Sequence, residues 1–384
     1  MGKILISYNN NVEVLNNQAL LNNQPIEIEP GLNEIETAYR KAREIYRTLL
    51  TSNFENFIIL TGAGSSIGIG TDGKVGMTMK GLWYRIEDII GRAELKEFCN
   101  SLKFDYPEDG IHGDLEALLS KAVIAREFLS HDIEPMITGI QDYIRKACTL
   151  TLPDDSPHEL FLKKITARKL KYPRVKLFTT NYDTLFEQAA GKCGHIVIDG
   201  FSYSFPRTFN GSNFDYDIVI REKSRIKNEE NYTPRVFHLY KPHGSVDWDR
   251  EHGRIIKAEH PVEPVMIYPK STKYESSYEQ PFFEMIARFQ QALRNENVFL
   301  LSIGFSFYDK HISSIIHEAL EVNPSFTLMV VTLGIEENSA LTKLKKIAST
   351  QNNVILIEEK FEDFAREYPF NEIYREREES KYAD

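Results

Sequence analysis

A histidine held between a proline and a glycine, in Pro242-His243-Gly244-Ser245, follows directly on the apolar run Val236-Phe237-His238-Leu239-Tyr240-Lys241. Such a residue sits on a tight turn and not on a packed face, where its imidazole is available for proton transfer near neutral pH. Three other stretches share this build. Phe57 to Leu60 empties into Thr61-Gly62-Ala63-Gly64-Ser65-Ser66, Val175 to Thr179 into Thr180-Asn181-Tyr182-Asp183, and Val298 to Ile303 into Gly304-Phe305-Ser306, with Asp309 close behind. Gly62 and Gly64 permit positive φ and the close approach of a diphosphate, toward which the following N–H groups can point. Gly68 and Gly70 complete no G-x-G-x-x-G pattern, so the turn alone is equally that of a buried strand entering a helix. Asn181 and Asp183 stand where open α/β sheets place ligands, or else cap the helix that follows.

Four strand ends of this kind predict an α/β fold with a Rossmann-like parallel sheet. Phe326 to Thr332, a helix over 339–348 and Val354 to Ile357 continue the alternation. Residues 1–32 read as a short β-hairpin arm, three extended pieces separated by Asn-Asn turns, that either caps the main domain or pairs with a neighbouring subunit. The main domain is expected over 33–384, opening on a helix of spacing Ile35, Tyr39, Ala42, Tyr46, Leu49. It should include a helical insertion at about 74–170, preceded by a glycine-bearing loop, Gly68 to Gly81, suited to folding over a ligand. His158 falls at the start of a short helix and His238 inside a strand, both as structural histidines. Residues 199–235 form an irregular lobe, Val265 to Lys270 a short strand, 281–293 a helix, and the tail from Tyr374 to Asp384 a charged, frayed end.

The 384 residues suffice for one large domain or two moderate ones, and the net charge of −10 without a long Lys/Arg run disfavours direct nucleic-acid binding. Cys99, Cys148 and Cys193 are too far apart for a C-x-x-C pair, so neither disulfides nor a metal are expected. No apolar run approaches the ~20 residues that span a bilayer, and the expectation is a cytoplasmic protein.

In order and content the four strand ends resemble the sirtuin family. G-A-G-x-S is matched by Gly62 to Ser66, T-Q-N-I-D by Thr179 to Asp183, H-G-S by His243 to Ser245, and G-T-S by Gly304 to Ser306. The resemblance implies NAD bound at the crevice, with cleavage between nicotinamide and ribose. That reaction passes through an oxocarbenium-like state that needs hydrogen bonds to ribose hydroxyls, a base and a dry pocket. Asn181 and His243 suit the first two roles, and Asp183 would hold the nicotinamide amide or orient the site. Gly62, Ala63, Gly64, Ser65, Ser66, Thr180, Gly244, Ser245, Gly304, Ser306 and Asp309 would bind the rest of NAD. The four-cysteine zinc module, G-I-P-D-F-R and F-G-E of deacylating sirtuins are missing, the last replaced by a stretch ending in Tyr268-Pro269. The chain is more similar to sirtuin-like NAD-consuming effectors of bacterial anti-phage defence, especially the subunit that works beside a HerA-type ATPase. This implies an NAD hydrolase that assembles with itself and is gated by contacts; a deacylase, an ADP-ribosyltransferase and a silent NAD or ADP-ribose sensor are the alternatives. The arm, the helical insertion and the Gly68 to Gly81 loop are the expected gating elements.

Overall fold

The computed structural model describes residues 2–52, 54–108, 113–126, 128–129, 132–220, 231–262, 264–267 and 280–370. Tyr268-Pro269 and the tail from Tyr374 onward lie outside these residues. The arm supplies β1 (Lys3–Ile6), β2 (Asn11–Leu15), β3 (Gln18–Leu21) and β4 (Gln24–Pro25), and the main domain starts its sheet with β5 (Asn56–Thr61). A small hairpin follows, β6 (Gly70–Thr71) and β7 (Lys74–Val75), then β8 (Lys176–Thr179), β9 (Ile196–Ile198) and β10 (Val236–Tyr240). Next come β11 (Gly244–Glu251), β12 (Arg254–Lys257) and β13 (Pro264–Met266), and finally β14 (Val298–Ile303), β15 (Phe326–Thr332) and β16 (Val354–Glu358).

Eleven strands form one sheet in the order β4-β3-β2-β1-β16-β15-β14-β5-β8-β10-β9. Within this sheet the strands from β16 to β9 pair in parallel and only the arm runs antiparallel, while the separate sheets β12-β11-β13 and β6-β7 are antiparallel. The fold is therefore mixed α/β around a mostly parallel, Rossmann-type sheet. From β5 the chain winds outward through β8 to β10, then returns to lay β14, β15 and β16 on the other side. The reversal between β5 and β14 is the switch point at which such sheets open a crevice. β14 and β5 are apolar almost throughout because helices cover both faces, which leaves no solvent side to alternate with.

β1 pairs with β16, Leu5 opposite Ile357. Leu5 and Val12 are wholly buried in the core shared with Ile59, Phe299 and Met329. Each such side chain is worth roughly 1.5–3 kcal/mol, so the arm is an extension of the main sheet that closes its β16 edge. The helix Glu34–Leu50, opened by an Asn33/Glu36 capping box, lays Ala38, Ala42 and Tyr46 on the same core.

The expected loop after the phosphate turn is instead the β6–β7 hairpin, tied back by Gly68 N–H to Gly76 O and Gly76 N–H to Ile69 O. Helices Met79–Ile90, Arg92–Ser101, Leu115–Ala125 and Glu134–Cys148 build a core of their own around Trp83, Leu118, Leu119 and Ile140. Tyr182 and Val246, from the two turns named above, complete that core. A cavity of about 450 Å³ lies among Leu50, Phe54, Phe57, Arg168, Tyr172 and Phe299. Phe57 and Phe299 mark the amino ends of β5 and β14, so this space is at the opposite end of the sheet from the crevice.

Three histidines are buried. Burial pushes the His158 pKa down to about 3, and burial first, with nearby Arg235 and Lys176 respectively, brings His195 and His238 to about 4. His158 lies between the Phe186 and Phe361 rings, and neither of its nitrogens has a partner among the described residues. Because the unfolded chain takes up these protons near pH 6.5 and the folded one only near 3–4, stability falls as pH drops through that interval. At the steepest the slope should approach about 4 kcal/mol per pH unit, the value for three protons. Urea midpoints from pH 7 to 4.5 measure it, and His158→Leu should remove one of the three protons; an unchanged slope in that variant would place the linkage elsewhere.

Candidate active site

The carboxyl ends of β14, β5, β8 and β10 carry the four predicted turns side by side. At the switch point the Gly62 and Gly304 turns touch through their backbones. Gly62 N–H donates to Ile303 O at 3.1 Å and Gly64 N–H to Gly304 O at 2.9 Å. A Cβ on Gly64 would lie 2.6 Å from Gly304 Cα, and Gly304 itself has φ +61°. Glycine is required at both places by this contact. The chain from Ala63 to Ser65 is one turn of 3-10 helix with Ala63 exposed, and Ser65 Oγ donates back to Gly62 O at 2.9 Å.

Asn181 reaches across from β8 into this turn. Its Nδ2 donates to Gly62 O at 3.0 Å and lies within bonding distance of the Ser65 and Ser66 hydroxyls, at 3.1 and 2.8 Å. Ser66 Oγ donates to Asp183 Oδ2 at 2.7 Å, and Asp183 Oδ1 accepts from Leu185 N–H at the start of the next helix. The capping role foreseen for Asp183 is present, with a bond to the phosphate turn added to it. Thr180 adds a backbone bond to Thr61 O that holds β8 beside β5. The β6–β7 hairpin rests on this cluster, since Gly76 passes so close to Ser66 O that a Cβ would lie 2.0 Å from it.

His243 and Asp309 form a second unit. His243 Nε2 is 3.0 Å from Asp309 Oδ2, both side chains about one-tenth exposed. Asp309 Oδ1 accepts from the amides of His311 and Ile312, capping the helix Lys310–Val322. Burial acts to raise the Asp309 carboxyl, but the bond to His243, its field and the two amides outweigh that and hold it below the usual range. The carboxylate can only accept, so His243 Nε2 carries the proton and Nδ1 is left with the lone pair. In the sheet β10 and β14 are three strand spacings apart, about 14 Å. The two loops therefore meet over the ends of β5 and β8, above Gly62 and Asn181.

Gly244, at φ +87°, is where β11 meets β13 so closely that a Cβ would lie 2.1 Å from Val265 O. Ser245 is fully buried, and its hydroxyl is engaged by Lys241, Tyr182 O and Asp247. Ser306 is exposed, its carbonyl bonded by Asn338 Nδ2 at 2.9 Å. The structure thus puts Gly62 to Ser66, Asn181, Asp183, His243, Gly304 and Asp309 at the carboxyl ends of four adjacent strands, with Ser245 fully buried and Ser306 exposed. Asp309, grouped from sequence with the cofactor contacts, is the partner of His243. Missed altogether was a buried charge layer: Lys241 on Glu187, and Lys257 on Asp199 and Asp247. Among the described residues no group of three or more His, Cys, Asp or Glu side chains is arranged to hold a metal ion. Among them, no helix is long and apolar enough to cross a membrane.

The family model described as a SIR2-like domain matches residues 175–350, a span that carries Asn181, Asp183, His243, Gly304 and Asp309 but not the Gly62 turn. No curated protein matches the sequence. Among solved structures the chain is similar to a Sir2 homologue in complex with NAD, at 15% identity over 85% of this chain and 91% of that one, with a TM-score of 0.39. It is also similar to a Sir2 homologue mutant in complex with 2'-O-acetyl ADP-ribose, at 15% identity over 85% and 94% of the two chains and a TM-score of 0.39. A third is Sir2 bound to an acetylated peptide, at 13% identity over 84% and 95% of the two chains and a TM-score of 0.33.

Proposed function

We propose that this chain is an NAD glycohydrolase, which splits NAD with water into nicotinamide and ADP-ribose. The observation that supports it most is the placing of the Asn181–Ser66–Asp183 cluster and the His243–Asp309 pair at the carboxyl ends of four adjacent strands, β14, β5, β8 and β10, around a glycine-lined switch point. The Gly62 to Ser66 turn, against Gly304, would take the diphosphate. Asn181, its amide nitrogen already committed, offers its oxygen to a ribose hydroxyl, a bond that strengthens as positive charge grows on the sugar. His243 Nδ1 takes the proton from the attacking water while Asp309 steadies the imidazolium. Nicotinamide leaves as the neutral base, so no acid is needed on that side.

The sirtuin resemblance, and the effectors it points to, support a role in anti-phage defence by NAD depletion in the cytoplasm. In that setting the chain forms a homo-oligomer gated by a HerA-type ATPase partner, with no metal, membrane or direct nucleic-acid contact of its own. Purified protein incubated with NAD, alone and with its genomic neighbour, and resolved by chromatography tests the reading. Nicotinamide and ADP-ribose in equal amounts are expected, with turnover unaffected by chelator. Label transferred to an acceptor protein would make it an ADP-ribosyltransferase, loss of the acyl group from an acylated protein as NAD is consumed would make it a deacylase, and binding without nicotinamide release would make it a sensor.

A further inference from the structure

Lys241 directly follows β10 and is 2% exposed, among the most buried charged side chains of the described chain. Its ammonium donates to four acceptors on three separate pieces of backbone. Two are the carbonyls of Tyr182, at 3.4 Å, and of Asp183; the others are Glu187 Oε1 at 3.1 Å and Ser245 Oγ at 2.7 Å. Tyr182 and Asp183 belong to the turn that carries Asn181, whereas Lys241 and Ser245 bracket the turn that carries His243. A backbone bond joins the same two turns, Val246 N–H to Tyr182 O at 2.9 Å. A buried ammonium is costly to desolvate unless every proton is placed, and here all three find acceptors.

We propose that Lys241 is a positioning residue: it ties the Asn181–Asp183 turn to the His243–Ser245 turn and so fixes the separation of Asn181 and His243. The assignment rests on the NAD-cleaving reading of the site. Lysine suits the place because its ammonium is a compact point donor that can turn toward three directions, whereas a guanidinium is a planar fork too large for the space. Glu187, half-buried on the helix Leu185–Lys192, is the partner carboxyl; burial pushes its pKa up, against the opposing pull of Lys241 and Lys257. A misplacement of about 1 Å between reacting groups is enough to lose 10²-fold in rate.

The test uses Lys241→Met, Lys241→Arg and the charge-balanced double variant Lys241→Met/Glu187→Gln in the full chain. Lys241→Met leaves the half-buried Glu187 without its cation and should unfold at lower temperature, whereas the double variant should recover stability because a neutral pair of similar volume replaces an ionic one. In the double variant kcat for nicotinamide release should stay about 10²-fold below wild type, with KM for NAD within threefold. Lys241→Arg should not restore kcat. Amide hydrogen exchange without NAD should rise over 181–185 and 243–247 in the double variant and nowhere else. Recovery of kcat together with stability, or unchanged exchange in both turns, would reduce Lys241 to a structural ion and overturn the proposal. Should the wild-type chain release no nicotinamide, the catalytic reading fails, and the exchange experiment still decides whether Lys241 ties the turns.

Discussion

His243→Ala is expected to lower nicotinamide release by 10²-fold or more while the protein keeps its fold. The imidazole bonds to Asp309 alone among the contacts described, and Asp309 remains anchored by the amides of His311 and Ile312 when the ring is removed. Circular dichroism and thermal unfolding establish that the variant is folded, and product chromatography gives the rate. Unchanged release from a well-folded His243→Ala protein would take the histidine out of the mechanism. The companion Asn181→Ala should lose as much activity but with a visible stability cost. Its Nδ2 is within bonding distance of Gly62 O and two serine hydroxyls in a buried setting, and each hydrogen bond lost costs roughly 0.5–1.5 kcal/mol.

The second large effect is assigned to Gly304→Ala. An alanine there must hold φ near +61°, and its methyl would meet Gly64 C and Cα at 2.6 Å and Ser65 N at 2.7 Å, all of them backbone. No side chain can move aside, so β14 and β5 must part at the switch point. The left-handed residue and the clash together should cost about 3 kcal/mol or more. NAD binding by calorimetry should weaken even where the variant folds, because the Gly62 to Ser66 turn loses its backing. Wild-type melting temperature and wild-type affinity in Gly304→Ala would show that the close contact is not required.

The strand ends were legible because each is a local signal: an apolar run long enough for a buried strand, broken by small or polar residues. Phe326 to Thr332 was readable to the residue for the same reason. Partners across the sheet were not. Nothing near Asp309 in the sequence announces His243, 66 positions away, and Lys241 looked like the last residue of a strand because two of its four acceptors are main-chain carbonyls, which leave no mark in a sequence, and a third, Glu187, is 54 positions away. The arm shows the same limit. Its Asn-Asn turns are local and the hairpins formed, but whether β1 would meet β16 or another chain depends on an edge created some 350 residues later. The glycines of residues 68–76, read as part of a loop suited to folding over a ligand, serve a hairpin with left-handed corners and a close pass over Ser66.

Tyr182 lies between Asn181 and Asp183, and its ring is packed into the separate core of the four inserted helices. A residue whose two neighbours bond the Gly62 to Ser66 turn while its own ring faces a helical bundle behaves as the fulcrum of a short lever. The inserted helices need no side chain in the crevice to act on it. Any tilt that carries the Tyr182 ring by a given amount must rotate the peptide units on either side, and so displace an amide and a carboxylate together. Evolution could therefore remodel the outer surface of those helices freely to meet new stimuli, provided the seat of one aromatic ring is kept.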